Sequence, residues 1–383
     1  MGPHLSSGTL NQSFFLYPPQ RLVLSVMPIP PFPVIKVDSR RCSASERWVG
    51  LTDIREDARA LIDYYFKEVE ASGHWPPARR IIKLLATRIT PKSLRREILD
   101  HATLLDLDPD QLLALNLYYD LVLVALNFRG QADVHKLLRQ SAVAFIRGQP
   151  FGCTAFAFVN TAGHPMHARN LDWPCEGRVL EKGTAIFDHQ LSSGRFQSVG
   201  WPGFVGSLTG IRPGAFTVSV NMVSTGRFSV GLPVPMLVRK ALEVADSYTA
   251  AVKLLSETKV MSEVIFLVTG TIPAEMVVIE RSPDSFAHRG PNADGLLVAT
   301  NDFRALKSGL STAPQSELQI TNDQRFAAVE MLCSDASFRR DGQSCFDVLG
   351  SSLVRLLCTK QHILMCAATG DLEVRPAGPA CPA

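Results

Sequence analysis

A cysteine opens the apolar run Gly152-Cys153-Thr154-Ala155-Phe156-Ala157-Phe158-Val159, and a turn follows at Thr161–Gly163. A second run from Pro165 ends in Arg169-Asn170-Leu171-Asp172-Trp173. Two short strand-like runs around a glycine-containing turn predict a β-hairpin. Closing it returns Arg169 and Asp172 to the side of Cys153. A thiol, a guanidinium and a carboxylate sharing one site suit a sulfur nucleophile of lowered pKa. The plainer reading of Cys153 is a buried strand residue, since free cysteine is among the most buried types. Charges at the far end of an otherwise apolar hairpin argue against it, and Gly152 suits a tight or strained bond just before the sulfur.

With 383 residues, 46% of them hydrophobic, the chain can bury a sizeable core as one large domain or two closely joined halves. Basic and acidic residues nearly balance, 39 against 36, so there is no electrostatic case for a nucleic-acid partner. No helix-turn-helix, zinc-finger or RNP-like pattern is present either. The eight cysteines, at 42, 153, 175, 333, 345, 358, 366 and 381, form no Cys-x-x-Cys pair, which disfavours a zinc ribbon or a thioredoxin-type motif. Several stand in apolar segments, as Cys358 and Cys366 do, and read as reduced thiols in a cytoplasm. Met1 to Gln20 lacks a basic stretch followed by a long apolar core and does not read as a secretory signal. The most apolar window, Leu112–Phe128, contains Asn116, Asp120 and Asn127 and is too short and polar to span a bilayer.

Residues 1–33, with a Pro-Ile-Pro-Pro-Phe-Pro run at 28–33, read as a poorly structured extension. A strand is expected at 34–37 and a helix over Glu46–Val69, from apolar residues at helical spacing. Thr90-Pro91 is expected to cap a helix over Leu94–Leu105, and Asp108-Pro109 one over Leu112–Leu126. Residues 34–152 thus form a helix-rich segment. From Cys153 to 376 the texture is β-rich, with strands expected at 153–159, 165–171, 184–189, 195–200, 204–209, 215–221, 263–269, 275–280, 295–300, 361–367 and 371–375. Helices are expected at Pro233–Ala245, at Ser247–Glu257 with Ser247 as N-cap, at Asp323–Leu332 and at Phe346–Leu357. Residues 377–383 form a tail. Clustered helices around many strands predict layered sheets covered by helices.

The hairpin resembles the acid ceramidase, N-acylethanolamine amidase and choloylglycine hydrolase group of N-terminal-nucleophile hydrolases. In that group the nucleophilic cysteine precedes an arginine by sixteen residues and an aspartate by nineteen, the spacing of Cys153, Arg169 and Asp172. Arg169-Asn170-Leu171-Asp172-Trp173 is similar to the group's Arg-Asn-(Met/Leu)-Asp-(Phe/Trp). Gly203-Phe204-Val205-Gly206-Ser207-Leu208-Thr209-Gly210, the strand ending at Asn221, Thr300-Asn301 and Asp323-Gln324-Arg325 resemble further segments in the same order, as does Ala114–Leu121 upstream. The likeness covers roughly residues 34–376.

The resemblance implies an α+β fold, an αββα sandwich of two stacked, mostly antiparallel sheets covered by helices. It also implies autoproteolysis of the Gly152–Cys153 bond, leaving Cys153 as nucleophile and new N-terminus, with its own α-amine as proton acceptor. Arg169 would favour the thiolate, Asp172 would orient the α-ammonium, Asn221 and Asn301 would offer amide donors to the oxyanion, and Arg325 would complete the polar shell. No cofactor is implied. The partners would be a small-molecule N-acyl amide and the chain's own N-terminal fragment, with contact to a lipid surface a further expectation. One departure stands out: acid ceramidase and its amidase relatives carry Glu after the matching asparagine, whereas here the residue is Met222. The resemblance implies hydrolysis of a linear amide through a thioester. Acyl transfer from that thioester and a non-catalytic ligand-binding relative are the alternatives.

Weaker signals are read more plainly. The glycines at 200, 203, 206 and 210 lack a Gly-Lys-Ser/Thr and read as β-turns. His164 and His167 have no third metal ligand, and Asp188-His189 is a minor candidate for a base beside Cys153. Val230–Val238 is expected to pack in the core, with Met236 and Leu237 as candidates to line an acyl pocket.

Overall fold

The computed structural model of the chain describes residues 32–71, 75–127, 152–173, 175, 178–223, 227–306 and 317–378. Most of the expected N-terminal extension and of the C-terminal tail, together with Cys381, lies outside them. The N-terminal part runs β1 (Val34–Asp38), α1 (Ala44–Arg47), β2 (Trp48–Val49), a 3₁₀ turn at Leu51–Ile54, α2 (Arg55–Ala71), α3 (Trp75–Ile89), α4 (Lys92–Leu105) and α5 (Pro109–Asn127). After Gly152 come β3 (Gly152–Val159), β4 (Pro165–Asp172), α6 (Val179–Lys182), β5 (Ala185–Leu191), β6 (Gly194–Gly200), β7 (Thr209–Arg212), β8 (Phe216–Met222), α7 (Val234–Val244) and α8 (Tyr248–Glu257). The chain closes with β9 (Val264–Thr269), β10 (Met276–Arg281), β11 (Phe286–Arg289), β12 (Leu297–Ala299), α9 (Glu317–Ser334), α10 (Gly342–Gly350), β13 (Thr359–Cys366) and β14 (Asp371–Pro376).

Among the described residues these strands make a nine-stranded sheet, β11-β10-β9-β8-β7-β6-β5-β1-β2, and a five-stranded sheet, β12-β3-β4-β13-β14. All pairings are antiparallel except β1 with β5, where Val34 to Asp38 run parallel to Ile186 to Gln190. Alternation along β3 sets the layers. Phe156 and Phe158 pack with Val329, Phe346 and Leu349 of α9 and α10. Ala155 and Ala157, on the other face, pack against Ile265, Leu267 and Val278 of the nine-stranded sheet. That sheet's far face, including Val218, Phe266 and Val268, is covered by Leu237, Ala241 and Leu255 of α7 and α8. The order helix, sheet, sheet, helix is the sandwich anticipated from the sequence. Small alanines at the sheet-to-sheet contact let the layers approach closely.

Several local expectations need correction. The helix placed over Glu46–Val69 is interrupted, because Trp48 and Val49 pair with Val37 and Lys36 of β1. Gly50, at φ +87°, supplies the left-handed turn that follows. The caps differ as well. Pro91 itself occupies the N-cap of α4 and the Thr90 hydroxyl has no partner, whereas Asp108 does cap α5 by accepting from the N–H groups of Asp110 and Gln111. Ser247 caps α8 as expected, accepting from Ala250. Residues 204–208 are irregular, because the Val205 N–H donates to Asn116 of α5 and the Ser207 N–H to the Pro235 carbonyl. A pairing strand therefore starts only at Thr209. The helix expected at Phe346–Leu357 is shifted to Gly342–Gly350, because Asp341 caps it by accepting from Ser344. Helix α3, which buries Trp75, Ile82, Ala86 and Ile89, was not anticipated.

Helix α5 docks through two buried polar anchors. Asn116 donates to the Gly203 carbonyl at 2.7 Å and accepts from Val205 at 2.8 Å. One turn on, Asp120 accepts from the Val234 N–H at the start of α7 and from the Ser262 hydroxyl at 2.6 Å. Proline at the N-cap of α7 has no side-chain acceptor to offer, so the carboxylate from α5 does that work.

Candidate active site

Cys153 is the second residue of β3, between the sheets and 5% exposed. The hairpin register pairs Gly152 with Asp172, Cys153 with Leu171 and Ala155 with Arg169. Directly opposed residues share a face, so Arg169 sits two positions along on the cysteine's own side. Its Nη2 donates to the sulfur at 3.3 Å. The guanidinium is held from behind by the Leu208 carbonyl at 2.9 Å and the Thr209 hydroxyl. Burial pushes the Cys153 thiol up, and the Arg169 charge pulls against that shift. The Met222 N–H also bonds to Cys153 and favours the thiolate.

Asp172 reaches the site from the hairpin's opposite face because residue 152 has no side chain. A Cβ there would stand 3.0 Å from Asp172 Oδ2 and 2.9 Å from Leu356 Cδ1. Asp172 is fully buried. Its Oδ1 accepts from Thr359 at 2.5 Å, while Oδ2 has no hydrogen-bond partner. Burial raises its pKa, opposed chiefly by Arg325 and by the Thr359 hydrogen bond.

Asn301, Asn221 and Arg325 arrive on three further segments. The Cys153 N–H donates to Asn301 Oδ1 at 2.8 Å. Arg325 of α9 donates to that same oxygen at 3.0 Å, to the Cys153 carbonyl at 2.7 Å and to the Thr154 hydroxyl at 2.8 Å. The Asn221 amide donates to the carbonyls of Ala299 and Thr300, both at 3.0 Å, and to that of Cys153 at 3.3 Å. The Asn301 amide donates to the Met222 carbonyl at 2.7 Å. All six sequence-selected residues therefore meet around one peptide unit, with both asparagine amide donors engaged by backbone carbonyls.

A small cavity opens at the sulfur, walled in part by Tyr119, Asp172, Trp173, Leu208 and Met222. Tyr119, Trp173 and Leu208 also wall a neighbouring apolar cavity with Tyr65, Tyr118, Trp201 and Phe204. Helices α2 and α5 of the N-terminal segment thus supply much of its lining. Met236 and Leu237 line neither cavity. Both are fully buried in α7 against the sheet, which corrects the expected acyl-pocket role.

The histidines stand apart from the sulfur. His167 places its ring nitrogens 2.8 Å from the Thr217 and Ser219 hydroxyls, and burial lowers its pKa to about 3. His189 stacks on Phe196 with ring centroids 4.2 Å apart, and Asp188 pairs with Arg195. No cluster of three metal-ligating side chains occurs among the described residues.

Comparison with known proteins gives the same direction. The mouse N-acylethanolamine-hydrolyzing acid amidase is 30% identical over 236 residues, 57% of this chain and 61% of its own length. The Caenorhabditis elegans protein of that name is 31% identical over 230 residues, and acid ceramidase of Balaenoptera acutorostrata scammoni 29% over 154. The chain is similar to these amidases. It spans about three fifths of the length of the acid amidases it matches. No family model matches. Among solved structures, the C. elegans acid amidase ortholog aligns with 56% of this chain at 25% identity and a TM-score of 0.46. A conjugated bile acid hydrolase mutant from Clostridium perfringens aligns with 58% at 13% identity and a TM-score of 0.41.

The supporting residues were not seen in the sequence. Thr209 and Thr359 hold Arg169 and Asp172, and Asn322 accepts from Arg325 at 2.8 Å and from the Asn301 N–H at 3.1 Å. Asn322 was findable, since it lies three residues before Arg325 on the same helix face. The two threonines carry no such local signal.

Proposed function

We propose that this chain is a cysteine amidohydrolase that releases its own nucleophile and hydrolyses linear N-acyl amides with an apolar acyl chain. One observation carries the reading: the Cys153 sulfur lies 3.3 Å from a fully buried guanidinium, beside a buried carboxylate with an open lone pair, at the mouth of a cavity shared with an apolar one.

In the self-cleavage step the Cys153 sulfur attacks the Gly152 carbonyl carbon. The C–N bond breaks, the nitrogen gains a proton, and water then hydrolyses the thioester to free a Gly152 carboxylate. The new α-ammonium finds the open Asp172 oxygen as acceptor, and the deprotonated amine beside the sulfur acts as base. In turnover the thiolate attacks the substrate carbonyl and the C–O π pair moves onto oxygen. Collapse then expels the amine with a proton from the α-ammonium, and water takes the acyl group from sulfur. The acyl chain occupies the apolar cavity, and the N-terminal fragment stays in place through the α5 anchors and the β1–β5 pairing.

The test is N-terminal sequencing and intact-mass measurement of the purified chain, wild type and Cys153→Ala, with amide hydrolysis followed in parallel. A terminus beginning Cys-Thr-Ala in wild type alone supports the reading. A wild type that turns over amides with residue 153 still inside an uncut chain overturns it.

A further inference from the structure

We infer that Tyr119, on the N-terminal segment, donates the hydrogen bond that holds and polarises the substrate carbonyl above Cys153. The inference rests on the reading of Cys153 as nucleophile and goes beyond it by assigning a donor.

Attack on a carbonyl needs a donor aimed at the developing oxyanion. The two side-chain amides nearest the sulfur are already engaged: Asn221 donates to the carbonyls of Ala299, Thr300 and Cys153, and Asn301 to that of Met222. Freeing either one would leave backbone carbonyls without partners in a buried site. Around the cavity, Gly152, Leu171, Leu208, Val220 and Met222 carry no polar side-chain hydrogen, and the Trp173 indole N–H donates to Tyr65 at 3.1 Å. Asp172 offers an acceptor, which suits an ammonium or an amide N–H but not a carbonyl oxygen.

Among the side chains that line the cavity, that leaves the phenol. Tyr119 is 3% exposed, lines both cavities, and its hydroxyl has no hydrogen-bond partner. A buried hydroxyl left without a partner is unfavourable, and a bound carbonyl would remove that cost. Burial raises its pKa well above 10, aided by the neighbouring Asp120 and Cys153 charges, so it remains a neutral donor at any working pH. Its position is fixed by flanking anchors, Asn116 on Gly203 and Val205 and Asp120 on Val234 and Ser262. Placement at the junction of the two cavities sets the carbonyl over the sulfur and the acyl tail among Tyr65, Tyr118 and Phe204.

The experiment compares full-length wild type with Tyr119→Phe, which keeps the ring and the packing. Two rates at Cys153 are read by mass spectrometry: acylation by p-nitrophenyl octanoate, which develops an oxyanion, and alkylation by iodoacetamide at the same sulfur, which develops none. Acylation should fall about a hundredfold with the hydroxyl gone, while alkylation and the thermal midpoint stay within twofold and about 2 °C of wild type. Equal acylation of both proteins overturns the inference and leaves the reading of Cys153 standing, as does a parallel fall in both rates. A wild type that does not acylate at Cys153 overturns both.

Discussion

Two buried polar clusters stand out among the described residues, and the one around Cys153 presents open hydrogen-bonding atoms to a cavity. Around Cys153 several buried atoms lack a partner, Arg169 Nε, Arg325 Nε and Asn221 Oδ1 among them, and two more, Asp172 Oδ2 and the Tyr119 hydroxyl, belong to residues that wall one space. At the junction of α4, β5 and α7 the second cluster gathers Trp48, His101, His189 and the Arg239–Glu97 pair. It too has unpartnered atoms: both His101 nitrogens, His189 Nδ1 and the Trp48 indole nitrogen. They sit among packed rings, with His101 edge-on to Trp48 at 4.1 Å and Arg239 over Phe196 at 5.4 Å. Burial alone therefore does not mark a site. Unpartnered atoms that converge on a cavity do.

Substitutions test that contrast, beginning with the largest effect. Cys153→Ala should abolish amide hydrolysis and the self-cut together, in the paired assays already described. Arg325→Met should follow, because it strands the Cys153 carbonyl, Thr154, Asn301 and Asn322 at once. A loss of about 4 kcal/mol is expected from urea unfolding, and a loss below about 1 kcal/mol would place the two clusters in the same class.

Asp120 tests the α5 anchor by pH. Burial raises its pKa to about 7, against the hydrogen bonds from Ser262 and Val234 that favour the charged form. The folded state then holds its proton more tightly than the unfolded one. The associated stability is complete below about pH 4 and is lost as pH rises through 7. Asp120→Asn should remove that decline, a difference of about 2–3 kcal/mol between pH 5 and pH 8 in urea midpoints.

His101→Phe should have the smallest effect. Its folded pKa, held to about 3 chiefly by burial and further by Arg239, lies below the unfolded value. Its neutral burial therefore favours the fold above about pH 6.5 and ceases to as pH falls toward 3. The variant should stay within about 1 kcal/mol of wild type at pH 7.5, flatten the acid limb of the stability curve and leave amide hydrolysis unchanged.

The contrast also explains what could be read from the chain. The hairpin was legible because its turn and its charged end are local signals, and a period of two then places Arg169 on the face of Cys153. Asn221, Asn301 and Arg325 were found through resemblance, since each taken alone looks like a turn or helix-surface residue. The polar row Thr217, Ser219 and Asn221 faces the other sheet, where His167 and the Cys153 peptide satisfy it. Tyr119 was hidden by its neighbours. On an apolar helix a tyrosine reads as core, and only the docking of α5 shows where the hydroxyl ends. The acyl-pocket placement failed for a related reason, since greasy residues close in sequence to Asn221 turned inward against the sheet.

One pairing has a consequence for how such a molecule lives and ages. Strand β1 lies parallel to β5, one strand in from the edge of the larger sheet, so Val34 must find Ile186 across the whole intervening polypeptide. While the backbone is continuous, that search is intramolecular, and its entropy grows only slowly with the length of the loop. Were the bond ahead of Cys153 severed, the same search would become a meeting of two separate molecules that depends on dilution. A nicked copy, once melted, would not readily reassemble, so its working lifetime would be governed by how slowly it comes apart.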